Sequence, residues 1–197
     1  MIRVPFGDCK RVDSMVALIP STHISSKDIQ NIVNVLFKAF RDYPLYQYLF
    51  PNPKFRKWQL PYFFKTVTKY AAKWGEIIRT SENYEGIMLL LRPPAYPISI
   101  LKLIWNGAFF FPFRIGIPAI FRLLSIEDTI DSMHLSQTLG PHLYLWMLAV
   151  NPQYHGQKHG KHLLQFFLNR IKTENIPGYL ETSTKENVQI YSKFGFV

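Results

Sequence analysis

The stretch Leu143–Leu168, LYLWMLAVNPQYHGQKHGKHLLQFFL, reads as a buried strand, a short polar loop with two glycines, and a helix. Leu143–Val150 is an unbroken apolar and aromatic run, the pattern of a strand covered on both faces. Asn151 and Pro152 end it. Gly156 and Gly160 let the backbone turn tightly and come close to a ligand. Gly160 also opens an amphipathic run, with Leu163, Leu164, Phe167, Leu168 and Ile171 at helical spacing. A helix N-terminus presents N–H groups without intrahelical partners at the positive end of the helix dipole. The loop is therefore built to hold an anion, a phosphate foremost, and Lys158 and Lys161 add charge there. It is neither a GxxxxGK[ST] phosphate loop nor a GxGxxG dinucleotide fingerprint.

The loop resembles the acetyl-CoA loop of the GCN5-related N-acetyltransferases (GNATs): a strand ending in a Val-x-Pro-like step, then [RQ]-x-x-G-x-[GA], then a helix. Here Val150 and Pro152 precede His155-Gly156-Gln157-Lys158-His159-Gly160. Gly160 matches the last position, His155 stands at the leading Arg or Gln, and Lys158 stands at the middle glycine. The tail YLETSTKENVQIYSKFGF carries a second resemblance: a strand, a helix with Asn, a Tyr, and a Gly-Phe shortly beyond. In this chain those are Asn187, Tyr191, Gly195 and Phe196. Many members place the Asn seven residues before the Tyr, where this chain has Thr184. The LETS…N…Y…GF spacing and the PHLYL approach to the central strand resemble the puromycin N-acetyltransferase subgroup. These motifs span about residues 141–197, and the first 140 residues fit the family's order of elements loosely.

The 197 residues suit one domain with a sizeable core. Apolar residues make up 48% and charged residues 18%, which excludes a disordered chain. The net charge of +10 points to anionic partners: a phosphorylated cofactor, nucleic acid or a membrane surface. The single cysteine, Cys9, excludes an internal disulfide and a cysteine metal cage, and it favours a reducing, cytoplasmic setting. Met15–Pro20 is too short for a secretory h-region. Residues 1–20 read as a basic leader with a first strand within Ser14–Ile19, and residues 21–197 as the acetyltransferase-like domain.

Ser25 or Ser26 caps a helix carrying Ile29, Ile32, Val33, Leu36, Phe37 and Phe40. Arg41–Pro53 reads as a packed aromatic loop, with the wall of an acceptor pocket as its functional alternative. Lys54–Lys73 is a second helix containing Pro61. Ile77–Thr80 and Gly86–Leu91 are strands joined by a turn at Ser81–Tyr84. Ala95–Phe121 is aromatic, aliphatic and punctuated by Pro97, Gly107, Pro112, Gly116 and Pro118. Lys102, Asn106, Arg114 and the prolines break it as a membrane span. It is expected to be an insertion of short helices capping a cleft. A membrane-interface surface and plain core are the alternatives. Gly178–Thr182 is a strand beside the central one, followed by a helix near Lys185–Lys193. The expected fold is α/β: a GNAT-like mixed central sheet flanked by helices. A helical insertion separates the third and central strands, and the last strand is missing beyond Val197, which would expose a sheet edge.

The resemblance implies that Leu148, Ala149 and Val150 bind the pantetheine and thioester of acetyl-CoA by backbone groups. His155, Gly156, Gln157, Lys158, His159, Gly160 and Lys161 would take the pyrophosphate, and Asn187 the pantetheine arm. Tyr191 would protonate the leaving thiolate, its phenol being a donor with a pKa of about 10. Glu181, the acid on its predicted strand, is the candidate base, with a surface ion pair as the alternative. His134 and His142 read as structural, with a proton relay as the alternative. His155, His159 and His162 cluster, yet no cysteine or acid near them completes a zinc site, so no metal is expected. No GxSxG serine is present for a hydrolase. The expected reaction moves an acetyl group to a primary amine of a small, partly apolar acceptor. Ala95–His134 would form part of a lid over that acceptor and Tyr43–Phe50 a second wall. The rival readings are a catalytically weak or inactive acyl-CoA binder and a basic module for nucleic acid or a membrane surface. Dispersed basic residues argue against nucleic acid.

Overall fold

A computed structural model describes residues 2–4, 18–20, 24–137 and 140–197. Residues 14–17, part of the expected first strand, lie outside the described residues. Helix α1 (Ser26–Phe40) starts at a capping box in which Ser25 and Asp28 satisfy each other's backbone N–H groups. The Tyr84 hydroxyl and Arg79 also hold Asp28. These hydrogen bonds, from Tyr84 first, lower its carboxyl to about 2. The expected loop at 41–53 instead contains a helix, α2 (Pro44–Leu49). Proline at its first position is pre-set for helix and lacks the N–H that would go unpaired there. Helix α3 (Pro53–Trp74) follows and accommodates Pro61. Arg56 is buried and ties the α1–α3 junction together through the carbonyls of Phe50 (2.7 Å), Arg41 (3.0 Å) and Pro51 (3.1 Å).

The strands are β1 (Ile2–Val4), β2 (Ile19–Pro20), β3 (Glu76–Arg79), β4 (Gly86–Leu91), β5 (Leu143–Val150) and β6 (Gly178–Leu180). They form one sheet in the order β1-β6-β5-β4-β3-β2. Among these, β5 and β6 run parallel and the other neighbours are antiparallel. β1 pairs with β6 along Gly178–Leu180. The edge that the sequence leaves open is thus occupied at those residues. β6 ends at Leu180, so Glu181 lies just beyond the strand rather than on it.

Alternation decides which side chains meet. Ile77, Ile87 and Leu89 pack with α1–α3 on one face of the sheet. Ile78, Met88 and Leu90 pack on the other face against α7 (His159–Glu174). In β5 this alternation breaks. Leu143 and Leu145 face α7, whereas Met147 and Ala149 face α1–α3. The register explains it: Leu90 pairs with Leu145 and Leu89 with Met147, leaving Trp146 as an extra residue. A bulge of one residue moves the rest of the strand to the opposite side-chain parity. β5 also outruns its parallel neighbour, since the pairs with β6 end at Leu145–Leu180 while β5 continues to Val150. Beyond that point no described strand pairs with β5 on that side.

The insertion comprises α4 (Ile100–Trp105), a 3-10 turn at Ala108–Phe110, α5 (Phe111–Arg114) and the long α6 (Ile117–Gln137). It lies along α3: Tyr62 donates to the Gly107 carbonyl (3.1 Å) and Gln59 to that of Ile115 (2.7 Å). The short α8 (Lys185–Ser192) is the last element described. Arg92 bridges Glu76 (2.8 Å) and Glu174 (2.9 Å), fastening α7 to the sheet. No helix among the described residues is long and apolar enough to cross a membrane.

Candidate functional site

Two hollows meet where β5 and β6 part. The first, about 590 Å³, lies over the loop between β5 and α7. Asn151 ends β5 and caps a 3-10 turn at Pro152–Tyr154 by accepting from the Gln153 N–H (3.3 Å). Gly156 then turns at φ +80 and Lys158 at φ +67, just before α7 begins. Both lie in the left-handed region that glycine favours, and entering it costs a lysine about 1–2 kcal/mol. Lys158 therefore keeps the loop shape that a glycine would hold without that strain. Gly160 differs from expectation. It lies inside the first helical turn, and a Cβ there would make ordinary contacts with Val150 and Leu148. The tight turning belongs to Gly156 and Lys158.

Leu148, Ala149, Val150, His155, Gly156, Lys158, His159, Gly160 and Lys161 all line this cleft. Gln157, expected there too, is exposed and does not line it. The first turn of α7 offers its N–H groups to the cleft beside two lysines, the arrangement that suits a phosphate. Leu148–Val150 border it on the side where β6 has ended, so their backbone can serve a ligand. Thr184 accepts the Asn187 N–H (3.3 Å) and caps α8. Thr184 and Asn187 both line the cleft. His155 points back to the Val150 carbonyl (3.3 Å). Among the described residues no group of three or more His, Cys, Asp or Glu is placed to hold a metal ion.

The second hollow, about 340 Å³, lies under α2 and α6. Aromatic rings form most of its wall, among them Phe40, Tyr43, Tyr46, Tyr96 and Trp146. Three carboxylates join them: Glu127 and Asp131 from α6, and Glu181. Among the described residues no Lys, Arg or His lines it. Burial, then the charges of Asp131 and Glu181, raises the Glu127 carboxyl to about 7. Tyr96 donates to Asp131 (3.0 Å). The two ends of the insertion line this hollow, Tyr96 and Ile98 and then residues of α6 between Leu123 and Met133. The lid expected over Ala95–His134 does not extend to its middle: Trp105 is 85% exposed and lines neither hollow.

Phe40, Tyr43, Leu148, Asn187 and Tyr191 line both hollows and mark their junction. Tyr43 accepts the Ser183 N–H (3.0 Å) and shares a hydrogen bond with Thr182 (3.0 Å). Its burial opposes ionisation, but these hydrogen bonds outweigh it and lower its pKa. Tyr191 is pushed up to about 12, by burial first and then by Tyr43, and so stays protonated. Glu181 accepts the Tyr144 hydroxyl (2.6 Å), and its other oxygen lies 3.5 Å from His134 Nδ1. Burial, then Glu181, holds the Tyr144 phenol well above its ordinary range, so it remains a donor.

Behind Glu181, the Nε2 atoms of His134 and His142 are 2.7 Å apart, and His142 Nδ1 lies 3.0 Å from the Gly140 carbonyl. That carbonyl accepts, so His142 carries its proton on Nδ1; burial lowers its pKa and keeps it neutral. Its Nε2 is then an acceptor and His134 Nε2 the donor. Tyr96 stacks on the His134 ring at 3.9 Å. In the sequence these histidines looked isolated; the fold pairs them and sets them behind the carboxylate. Tyr144 carried no sequence signal, being one aromatic residue in an apolar strand.

Residues 121–197 match the family model described as an acetyltransferase (GNAT) domain. Among solved structures, a histone acetyltransferase HPA2 and related acetyltransferase from Corynebacterium glutamicum is similar. Its TM-score is 0.61 at 22% identity, over 91% of this chain and 83% of that one. A mosquito arylalkylamine N-acetyltransferase like 5b aligns at a TM-score of 0.48 and 15% identity, over 91% and 82%. No curated protein sequence matches. The mixed α/β architecture is that of the GNAT fold.

Proposed function

We propose that this chain is an N-acetyltransferase that moves an acetyl group from acetyl-CoA to the primary amine of a small, partly apolar acceptor. The observation that carries the reading is the junction. An anion-binding cleft and an aromatic, acid-lined cavity open into each other at Tyr43, Leu148, Asn187 and Tyr191. The first turn of α7, Lys158 and Lys161 would hold the pyrophosphate, and the β5 backbone at Leu148–Val150 the pantetheine arm. The thioester would then lie beside the cavity. The tail motif favours the puromycin N-acetyltransferase-like subgroup.

The amine nitrogen bonds to the acetyl carbon, the carbon–sulfur bond breaks, and one proton must leave nitrogen while another reaches sulfur. Glu181 takes the first. The Tyr144 hydroxyl holds one oxygen of Glu181 (2.6 Å), and His134 Nδ1 lies 3.5 Å from the other, which positions the carboxylate at the cavity. Tyr191 gives its phenolic proton to the thiolate. Glu127 and Asp131, beside Glu181, attract the amine as its ammonium, which sheds one proton to solvent before the neutral amine attacks. An inactive coenzyme binder would share the cleft but have no use for the carboxylates of the cavity.

Calorimetry with acetyl-CoA and thiol-release assays over a panel of arylalkyl- and alkylamines test the reading. Coenzyme binding with amine-dependent thiol release is expected. A folded chain that does not bind acetyl-CoA sinks the proposal, and binding without release for any amine leaves only the inactive reading.

A further inference from the structure

The middle of the insertion is the part of the chain that the reaction does not use. Trp105 and Phe113 are 85% and 84% exposed, and Phe109, Phe121, Leu101 and Trp58 also stand in solvent. Soluble monomers seldom leave so many large apolar side chains together on one surface. The elements carrying them lie side by side, because α4 and α5 are bound to α3 through Tyr62 and Gln59. Charge on this face has one sign. Residues 53–74 and 92–126 contain Lys and Arg but no Asp or Glu. The cations sit against rings: Lys102 Nζ is 4.4 Å from the Trp74 centroid, Lys57 Nζ 5.3 Å from that of Trp58, and the Arg114 guanidinium 5.6 Å from that of Tyr62. Long cationic side chains laid along aromatic rings match an interface between apolar and anionic layers.

From this we infer that the α3–α4–α5 face docks on an anionic membrane surface. The exposed rings would enter the headgroup–acyl boundary while Lys57, Lys73, Lys102 and Arg114 meet lipid phosphates and carboxylates. The same face on a second copy would bring like charges together on a chain of net charge +10, which opposes self-association. The proposed contact lies on the membrane surface, and no helix among the described residues is long and apolar enough to cross it. The inference is independent of acetyl transfer.

Sedimentation of the full chain with phosphatidylcholine vesicles, with and without phosphatidylserine, tests it. Binding is expected only with phosphatidylserine and should fall steeply with salt. The Trp105→Ser/Phe113→Ser pair should weaken it at least roughly tenfold, through the lost apolar contact. Lys102→Glu/Arg114→Glu should weaken it similarly. All four positions are solvent-facing or partly so, and circular dichroism with acetyl-CoA binding checks that the variants fold. Equal binding to neutral vesicles, no binding to either, or binding unchanged in both double variants overturns the inference. A salt-resistant dimer, or oligonucleotides that bind the face in place of vesicles, overturns it too.

Discussion

Two aromatic regions of this chain have similar composition and opposite surroundings. The wall of the inner cavity sets Phe40, Tyr46, Tyr96 and Trp146 among Glu127, Asp131 and Glu181, without a cation among the described residues. The outer face sets Trp58, Trp105, Phe109 and Phe113 among Lys and Arg, on segments without an acid. Rings provide area in both places, and the sign of the charge between them differs, which is the ground for proposing an ammonium inside and an anionic surface outside. One helix serves both regions, since α6 carries Phe121 outward near its start and Glu127 and Asp131 inward further along.

Truncation should separate the regions most sharply. Tyr46 is 5% exposed and packs edge-on against Phe64 (5.0 Å), so Tyr46→Ala should cost about 3–5 kcal/mol of stability in denaturant unfolding. Next in size is Tyr191→Phe. It should lower kcat by roughly 100-fold or more while acetyl-CoA affinity changes little, because the donor is needed as the thiolate leaves. An unchanged kcat would make the phenol structural.

Glu127→Gln probes the sign of the inner charge. With its carboxyl at about 7, Glu127 loses its charge as pH falls through 7. KM for a cationic alkylamine should therefore rise on acidification, and the variant should start with a KM raised by about tenfold and a flatter profile, the cost of one ionic contact. Stability should move the opposite way. The native carboxyl binds its proton more tightly than the unfolded one, so stability is present below the ordinary value of 4.5 and falls as pH rises toward 7. Glu127→Gln should thus be more stable by about 1–2 kcal/mol at pH 8 and equal to the parent at pH 4, measured by urea titration. The smallest effect belongs to the outer face. Trp105→Ala should change stability by less than about 0.5 kcal/mol and leave the rate with a soluble acceptor unaltered. A large loss of activity would return Trp105 to the lid and break the contrast.

Local order was legible in the chain itself. The run Leu143–Val150 and the amphipathic helix after it stand where their periodicity places them, and Ser25 caps α1. Most of the expected cleft residues do line the cleft, since consecutive positions on one loop must share a neighbourhood. These features depend on neighbours within a few residues, through dihedral preference, capping and side-chain period, so the sequence by itself determined them. Other features needed contacts distant in the chain. The bulge at Trp146 turns Met147 and Ala149 to the face opposite Leu143 and Leu145, through pairing with β4, which lies far earlier in the chain. Pairing of β1 with β6 covers an edge that the sequence reading leaves bare. Glu127, Asp131 and Glu181 converge only when α6 packs across the end of β6, and His134 meets His142 only there. The outward turn of Trp105 was equally hidden, because an aromatic residue has the same local pattern in a cavity wall and on an open face. Only tertiary structure decided these, since which face a side chain presents depends on what packs against it.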